Sequence, residues 1–292
     1  MRKIMITGAT GKLGNEVARN YISEKGSDNV AVLARSAEKA ADLATLGAEV
    51  RIGDYNNSAS LETAFQGIDT LFFVSSGDIN NRSAQHKNVI DAAKSAGVRY
   101  VIYTSFQRVN ETSSSPIFAI AEAHFDAEKW LKESGLQYTF LRNALYMDLL
   151  PWFMGENVIG SGTIYLPAEA GKTAFVLRSD LAAAGAKVLG ETGHEGKIYE
   201  LSGAQVWSYS DIANILSNIT GKSIQYVSPS LEEYTQALRA ANVPEQVIYM
   251  FAGFSQAIAQ GEFNHPNGQL EALLGRKATD AETFLTAVYG SK

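Results

Sequence analysis

A short strand that runs straight into three glycines is the feature that most narrows what this chain can fold into. Residues 3–14 read Lys-Ile-Met-Ile-Thr-Gly-Ala-Thr-Gly-Lys-Leu-Gly, and a helix-like pattern follows at once. Glycine at Gly8, Gly11 and Gly14 lets the backbone turn sharply, approach a pyrophosphate and pack the new helix on the strand, while N–H groups of the helix start face the anion. Gly8, Ala9, Thr10, Gly11, Lys12 and Leu13 are then the residues that meet the phosphates. The spacing is Gly-x-x-Gly-x-x-Gly, whereas the commonest dinucleotide fingerprint is Gly-x-Gly-x-x-Gly, so the turn alone is also compatible with a structural role.

Strand and helix patterns alternate after the turn. Helices are expected over Asn15–Lys25, Ala37–Leu46 with Ser36 as N-cap, Ser58–Phe65, Ser83–Ala96 and Ile117–Ser134. Between them lie apolar strands over Asn29–Ala34, Glu49–Ile52, Thr70–Val74, Tyr100–Thr104 and Tyr138–Leu141. Fully apolar strands alternating with helices call for an α/β fold, a doubly wound parallel sheet covered on both faces. Beyond Arg142 the rhythm breaks in an aromatic-rich segment holding Tyr146, Trp152 and Phe153.

The expected organisation is a dinucleotide-binding domain over residues 1–150 and a smaller, mostly helical C-terminal domain over 151–292. The second contains helices over Ser210–Ile219, Ser230–Ala241 and Glu245–Gln260. A helix over Ser179–Leu189 and a strand over Lys197–Leu201 suggest that residues 175–202 return to the first sheet. Ligands of such sheets lie outside the carboxyl ends of the strands, so the second region is expected to form the far wall of a cleft there.

Composition excludes several chemistries. The chain of 292 residues has no cysteine, which removes thiolate metal sites, a catalytic thiol and a disulfide framework. His86, His124, His194 and His265 show no metal-ligand spacing, so no metal is expected. A net charge of −6 disfavours nucleic acid and anionic membranes as partners. No apolar run approaches the roughly 18 residues of a membrane span, and no leader pattern precedes the first strand. A soluble cytoplasmic protein is expected. Gly-x-Ser-x-Gly and the NTPase phosphate loop are both missing, which leaves hydrolase and NTPase readings without support.

About 20 residues past the glycine turn a dinucleotide site treats the adenosine ribose, and an acidic residue there accepts from a 2′-hydroxyl. This chain has Arg35 instead. A guanidinium pairs with a 2′-phosphate, with Lys12 and Lys39 adding positive potential, so NADP(H) is preferred over NAD(H) unless Arg35 is an ordinary surface arginine. Asp54 and Tyr55 follow the third strand, where adenine sits, although a turn-forming Asp and a packed Tyr explain them equally. Ser75, Ser76 and Gly77 after the fourth strand and Ser105 after the fifth are small enough for a cofactor to cross the sheet closely.

Thr7 to Gly14, Arg35, Gly53-Asp54-Tyr55, Tyr103-Thr104-Ser105, Tyr138 to Asn143 and His194-Glu195-Gly196-Lys197 together resemble the NmrA-like atypical short-chain dehydrogenase/reductases. Within that family the likeness points to the branch of type 2 NAD(P)H:quinone oxidoreductases and triphenylmethane-dye reductases. The resemblance implies a Rossmann-type NADP-binding domain with substrate held against a small C-terminal domain. It also implies that residues 139–144, among them Phe140, Leu141 and Asn143, line the nicotinamide end.

Ordinary short-chain dehydrogenases place a Tyr-x-x-x-Lys pair on the helix after the fifth strand, and this chain departs from them. The helix from Ile117 has no tyrosine, and His124 with Glu128 stands best in the pattern. Residues four apart share a helix face, so the two suit a replacement acid-base pair, but a solvated salt bridge is the commoner outcome. His124 is therefore the catalytic candidate. Losing the Tyr-Lys pair argues against ordinary ketones and sugar epimerisation, and fits acceptors electrophilic enough to take hydride with little acid assistance.

Such acceptors are flat, and Phe106, Phe118, Tyr146 and Met147 are the candidates to stack on one. The leading expectation is a flavin-independent NADPH reductase of quinones or dye-like electrophiles. The alternative is an NADP-binding redox-sensing regulator without turnover. The oligomeric state is open, a homodimer included.

Overall fold

The computed structural model describes residues 2–290. Its first half alternates β1 (Ile4–Ile6), α1 (Lys12–Lys25), β2 (Val30–Ala34), α2 (Ala41–Thr45), β3 (Glu49–Ile52) and α3 (Ser58–Phe65). The same rhythm continues through β4 (Thr70–Phe73), α4 (Arg82–Ser95), β5 (Tyr100–Phe106), α5 (Phe118–Ser134) and β6 (Gln137–Asn143). These strands build a parallel sheet in the order β3-β2-β1-β4-β5-β6, with the crossover reversing between β1 and β4. Such a reversal opens a crevice at the carboxyl ends of the two strands.

Alternate residues along each strand feed opposite layers. Ile4 and Ile6 pack with Val17, Ala18 and Leu181 on one face, and Met5 packs with Leu61, Phe65, Val89 and Leu131 on the other. Both faces are thus buried, the condition under which parallel strands stay apolar throughout.

Two departures from the expected elements have local causes. Ser36 does not cap a long helix: a 3-10 turn over Glu38–Ala40 precedes the short α2, and the Ser36 side chain bonds the Glu38 carboxylate. β5 and β6 run on past their apolar cores, pairing Ser105 with Arg142 and Phe106 with Asn143. Polar residues extend these strands because Glu128 on α5 accepts from both Ser105 Oγ and Arg142.

After β6 come α6 (Leu150–Met154), α7 (Val158–Ser161), β7 (Thr163–Tyr165), β8 (Lys172–Thr173), α8 (Arg178–Gly190) and β9 (Ile198–Leu201). β9 pairs in parallel with β6 and completes a seven-stranded sheet, while α8 packs beside α1. The remainder is β10 (Trp207–Ser208), α9 (Tyr209–Thr220), β11 (Gln225–Val227), α10 (Leu231–Ala240), α11 (Glu245–Ala259), α12 (Gln269–Leu274) and α13 (Ala281–Tyr289). Capping boxes start α9 at Ser208 with Asp211 and α10 at Ser230 with Glu233. A separate apolar core joins this part, including Phe153, Ile164, Ile212, Phe251 and Phe254. Among the described residues no helix is long and apolar enough to cross a membrane.

Candidate active site

The glycine turn is held by contacts that leave no room for side chains. Gly8 has φ +60°, and a Cβ there would sit 2.8 Å from Val74 Cβ; a Cβ on Gly14 would strike the Gly8 carbonyl. α1 starts at Lys12 with no side-chain cap from Gly11 and no acidic residue in its first turn. Its first N–H groups are therefore available to an anion.

A groove of about 460 Å³ leads from this turn over the ends of β2 and β3, bordered by Gly8, Thr10, Gly11, Arg35, Asp54, Tyr55 and Ser75–Gly77. Arg35 is exposed there and is the one cation on this half of the groove. Lys12 borders the other half and Lys39 neither. Tyr55 offers only its ring, because its hydroxyl bonds Thr7 Oγ1 and, at 2.9 Å, the Val74 carbonyl. Asp54 accepts from the Asn56 backbone N–H at 2.8 Å and so shapes the turn. A glycine cradle against a bare helix start and, at the end of the neighbouring strand β2, an arginine without an ion-pair partner among the described residues suit the pyrophosphate and 2′-phosphate of NADP.

The groove continues across Gly8, Gly11 and Ser75–Gly77 into a chamber of about 410 Å³ between the sheet edge and the C-terminal part. β5 contributes Thr104, Ser105 and Phe106; α5 contributes Ile120 and His124; the segment after β6 adds Ala144, Leu145, Tyr146 and Leu149. Met250 and Phe254 of α11 close the far side, and Ile79, Arg82 and Arg178 border it. Largely apolar walls with a few polar groups are what a flat conjugated molecule needs.

His124 and Glu128 do not form a pair, and neither is solvated: they are 6% and 2% exposed. Glu128 accepts from Arg142 at 2.6 Å, Arg108 at 2.9 Å and Ser105 Oγ at 2.6 Å. Burial alone would raise its carboxyl, but the bonds from Arg142 and Arg108 overcome that and hold it at about 2. The helix spacing put both residues on one face, yet packing against β5 and β6 gave Glu128 better partners.

His124 belongs to a different network. The Ser76 N–H donates to His86 Nε2 at 3.1 Å, so the His86 proton sits on Nδ1, which faces the Ala123 carbonyl at 3.2 Å and the Tyr103 oxygen at 3.3 Å. Tyr103 in turn bonds His124 Nδ1 at 2.9 Å. A Tyr103 O–H given to Nδ1 puts the His124 proton on Nε2, and His124 lines the chamber. Burial pulls His86 down to about 3, pulls His124 well below the usual imidazole value and pushes Tyr103 well above the usual phenol value. The whole cluster is neutral at ordinary pH.

Acid should therefore destabilise the fold earlier than carboxylates require. Below about pH 6.5 the unfolded chain takes up a proton at His86 that the folded chain refuses until about pH 3. Stability is full above about 6.5 and falls with pH, roughly 2–3 kcal/mol by pH 4.5 for one such group. Glu128 adds a further loss between the ordinary carboxylate range and about 2. Urea midpoints measured from pH 8 to 4.5 will fall; a flat series would contradict buried neutral imidazoles.

Of the other candidates, Ala9 is buried in the turn, and Phe140 and Leu141 are buried in the two layers flanking the sheet, away from the cleft. Asn143 is also buried, its Nδ2 3.4 Å from the Tyr146 hydroxyl and its Oδ1 without a partner. Ala144, the last residue of the expected stretch, lines the chamber together with Leu145. Phe118 packs at a tilt against Phe125 outside the chamber, and Met147 turns into the C-terminal core. Neither lines the chamber, because neighbouring positions after a strand or at a helix start point to different sides. Arg82, Arg178, Met250 and Phe254 were not anticipated, and no local motif marks them, since only tertiary contact brings α4, α8 and α11 to this edge.

Fold and groove define a Rossmann-type dinucleotide-binding protein with an adjoining, largely apolar chamber. The chain belongs to the NmrA-like family, which it matches over residues 1–285. Quinone oxidoreductase 2 of Escherichia coli is 35% identical over 283 residues, covering 94% of this chain and 95% of that protein. The structure of the NADPH-dependent quinone oxidoreductase QOR2 of the same organism, complexed with NADPH, superposes with a TM-score of 0.92 at 34% identity, covering 98% and 100% of the two chains. Triphenylmethane reductase of Citrobacter sp. superposes with a TM-score of 0.89 at 35% identity over 98% and 99%.

Proposed function

We propose that this chain is a flavin-independent NADPH reductase that delivers hydride to a quinone or similar conjugated electrophile. The observation that carries the reading is the chamber at the nicotinamide end, continuous with the groove and furnished with the neutral His124. NADPH supplies hydride when bound. Gly8, Gly11 and the start of α1 hold its phosphates, Arg35 its 2′-phosphate, and Ser75–Gly77 let it lie close across the sheet. Phe106 and Tyr146 flank a flat acceptor, and the apolar wall of Met250 and Phe254 limits water.

His124 donates a hydrogen bond from Nε2 to the acceptor oxygen on which negative charge accumulates. It acts as a neutral donor and not as an acid, because Tyr103 already occupies Nδ1 and burial opposes the imidazolium. The proton that completes the product comes from solvent. The absence of cysteine agrees with a reducing compartment such as the cytoplasm. A redox sensor without turnover has less support, since relatives near 35% identity over almost the full chain are named as reductases.

The test is loss of NADPH absorbance with benzoquinones, naphthoquinones and triphenylmethane dyes. Oxidation by at least one quinone is expected, with His124→Ala lowering kcat about tenfold, the worth of one hydrogen bond to a charged oxygen. Tight NADPH binding with no oxidation of any acceptor would sink the enzyme reading. A wild-type rate that titrates near pH 6.5 and vanishes in His124→Ala would make His124 an acid after all.

A further inference from the structure

The chamber is electrostatically one-sided. Lys12, Arg82 and Arg178 border it and no Asp or Glu does, in a chain whose net charge is −6. Two of the three cations have other work. Lys12 stands at the start of α1, beside the glycine turn, and Arg178 is ion-paired with Asp148. Arg82 differs: its Nε donates to the Ser76 carbonyl at 2.7 Å and its Nη1 to the Ile120 carbonyl at 3.4 Å. Among the described residues no carboxylate lies within ion-pair distance of it, and Nη2 has no protein partner. Two backbone carbonyls therefore pin a largely buried guanidinium at the chamber wall, and Asp78 attracts it only from beyond ion-pair distance. A buried charge without a counter-ion is costly, and finding one in a cleft points to a ligand charge that completes it.

We infer that Arg82 selects acceptors by charge, so that the chamber takes neutral and especially anionic quinones and disfavours cationic dyes. The inference rests on the reductase reading above. A quinone that accepts hydride gains two electrons and one hydrogen nucleus, becomes a hydroquinone monoanion, and is completed by one solvent proton. The charge that appears on its oxygen is opposite to that of Arg82, so the interaction strengthens as the reaction proceeds. A triphenylmethane cation becomes neutral on taking hydride. Arg82 repels it on entry and gains nothing in its transition state. A sulfonate or carboxylate on the quinone ring adds an attraction in the ground state as well.

The experiment compares kcat/KM at saturating NADPH for 1,4-naphthoquinone, 1,2-naphthoquinone-4-sulfonate and malachite green, in the wild type, Arg82→Gln and Arg82→Lys. Equilibrium binding of anthraquinone-2-sulfonate to the same proteins gives a readout independent of turnover. The wild type should rank the sulfonate first and the cation last. Arg82→Gln should cut the sulfonate-to-naphthoquinone ratio at least tenfold, raise the relative rate with malachite green and weaken anthraquinone-2-sulfonate binding similarly. Arg82→Lys should keep the ranking. A ratio unchanged in a folded Arg82→Gln protein overturns the inference, as does a change confined to the KM for NADPH. If no acceptor is reduced the reductase reading fails, and the binding arm still decides whether Arg82 recognises the anion.

Discussion

Arg35→Ala will raise the KM for NADPH by one to two orders of magnitude and leave that for NADH nearly unchanged. A charge-assisted, bidentate contact to a phosphate is worth roughly 1.5–3 kcal/mol, or about 10- to 150-fold. Nothing else on the adenosine half of the groove can replace it, since Arg35 is the one cation there and Asp54 and Asp78 are its acidic neighbours on the lining. NADH lacks the phosphate and loses nothing comparable. Steady-state kinetics with both cofactors check this directly, and equal changes for the two would show that Arg35 does not read the 2′ position.

Glu128→Ala will destabilise the protein by about 3–5 kcal/mol, because it strands two arginines that a buried carboxylate now holds. Arg108 and Glu128 side chains are each 3% exposed, and Arg142 bridges onward to Glu200. On a domain of this size such a loss lowers Tm by roughly 10 °C. The same carboxylate fixes Ser105 and, through Arg108, the Phe106 carbonyl, so chamber geometry and kcat should suffer together. Calorimetry beside kinetics separates this from direct chemistry. A variant with wild-type Tm and no activity would mean that Glu128 works on the substrate.

These two residues also show how far the sequence reaches. Arg35 is legible because strand, glycine turn and the next strand end stand at fixed distances along the chain, and the end of β2 must lie beside the turn. Glu128 is misleading for the opposite reason. Its spacing from His124 places both on one helix face, and spacing cannot say that Arg108, just beyond β5, and Arg142 of β6 will converge there. Tyr103 is similar. It reads as an apolar strand residue, and only packing against α4 and α5 turns its hydroxyl toward two histidines.

The sequence by itself determined the parallel sheet, the glycine turn at its switch point and, through Arg35, the expectation of NADP(H). Apolar periodicity, glycine conformation and strand-end position are local properties, and a linear chain carries them in full. Tertiary structure alone decided the chamber: which aromatic residues face it, that His124 is buried and bonded to Tyr103, and that Arg82 stands there without an ion-pair partner among the described residues. Those properties depend on burial and on partners distant in sequence, because the desolvation that sets a charge and the contact that orients a side chain exist only once the layers have packed.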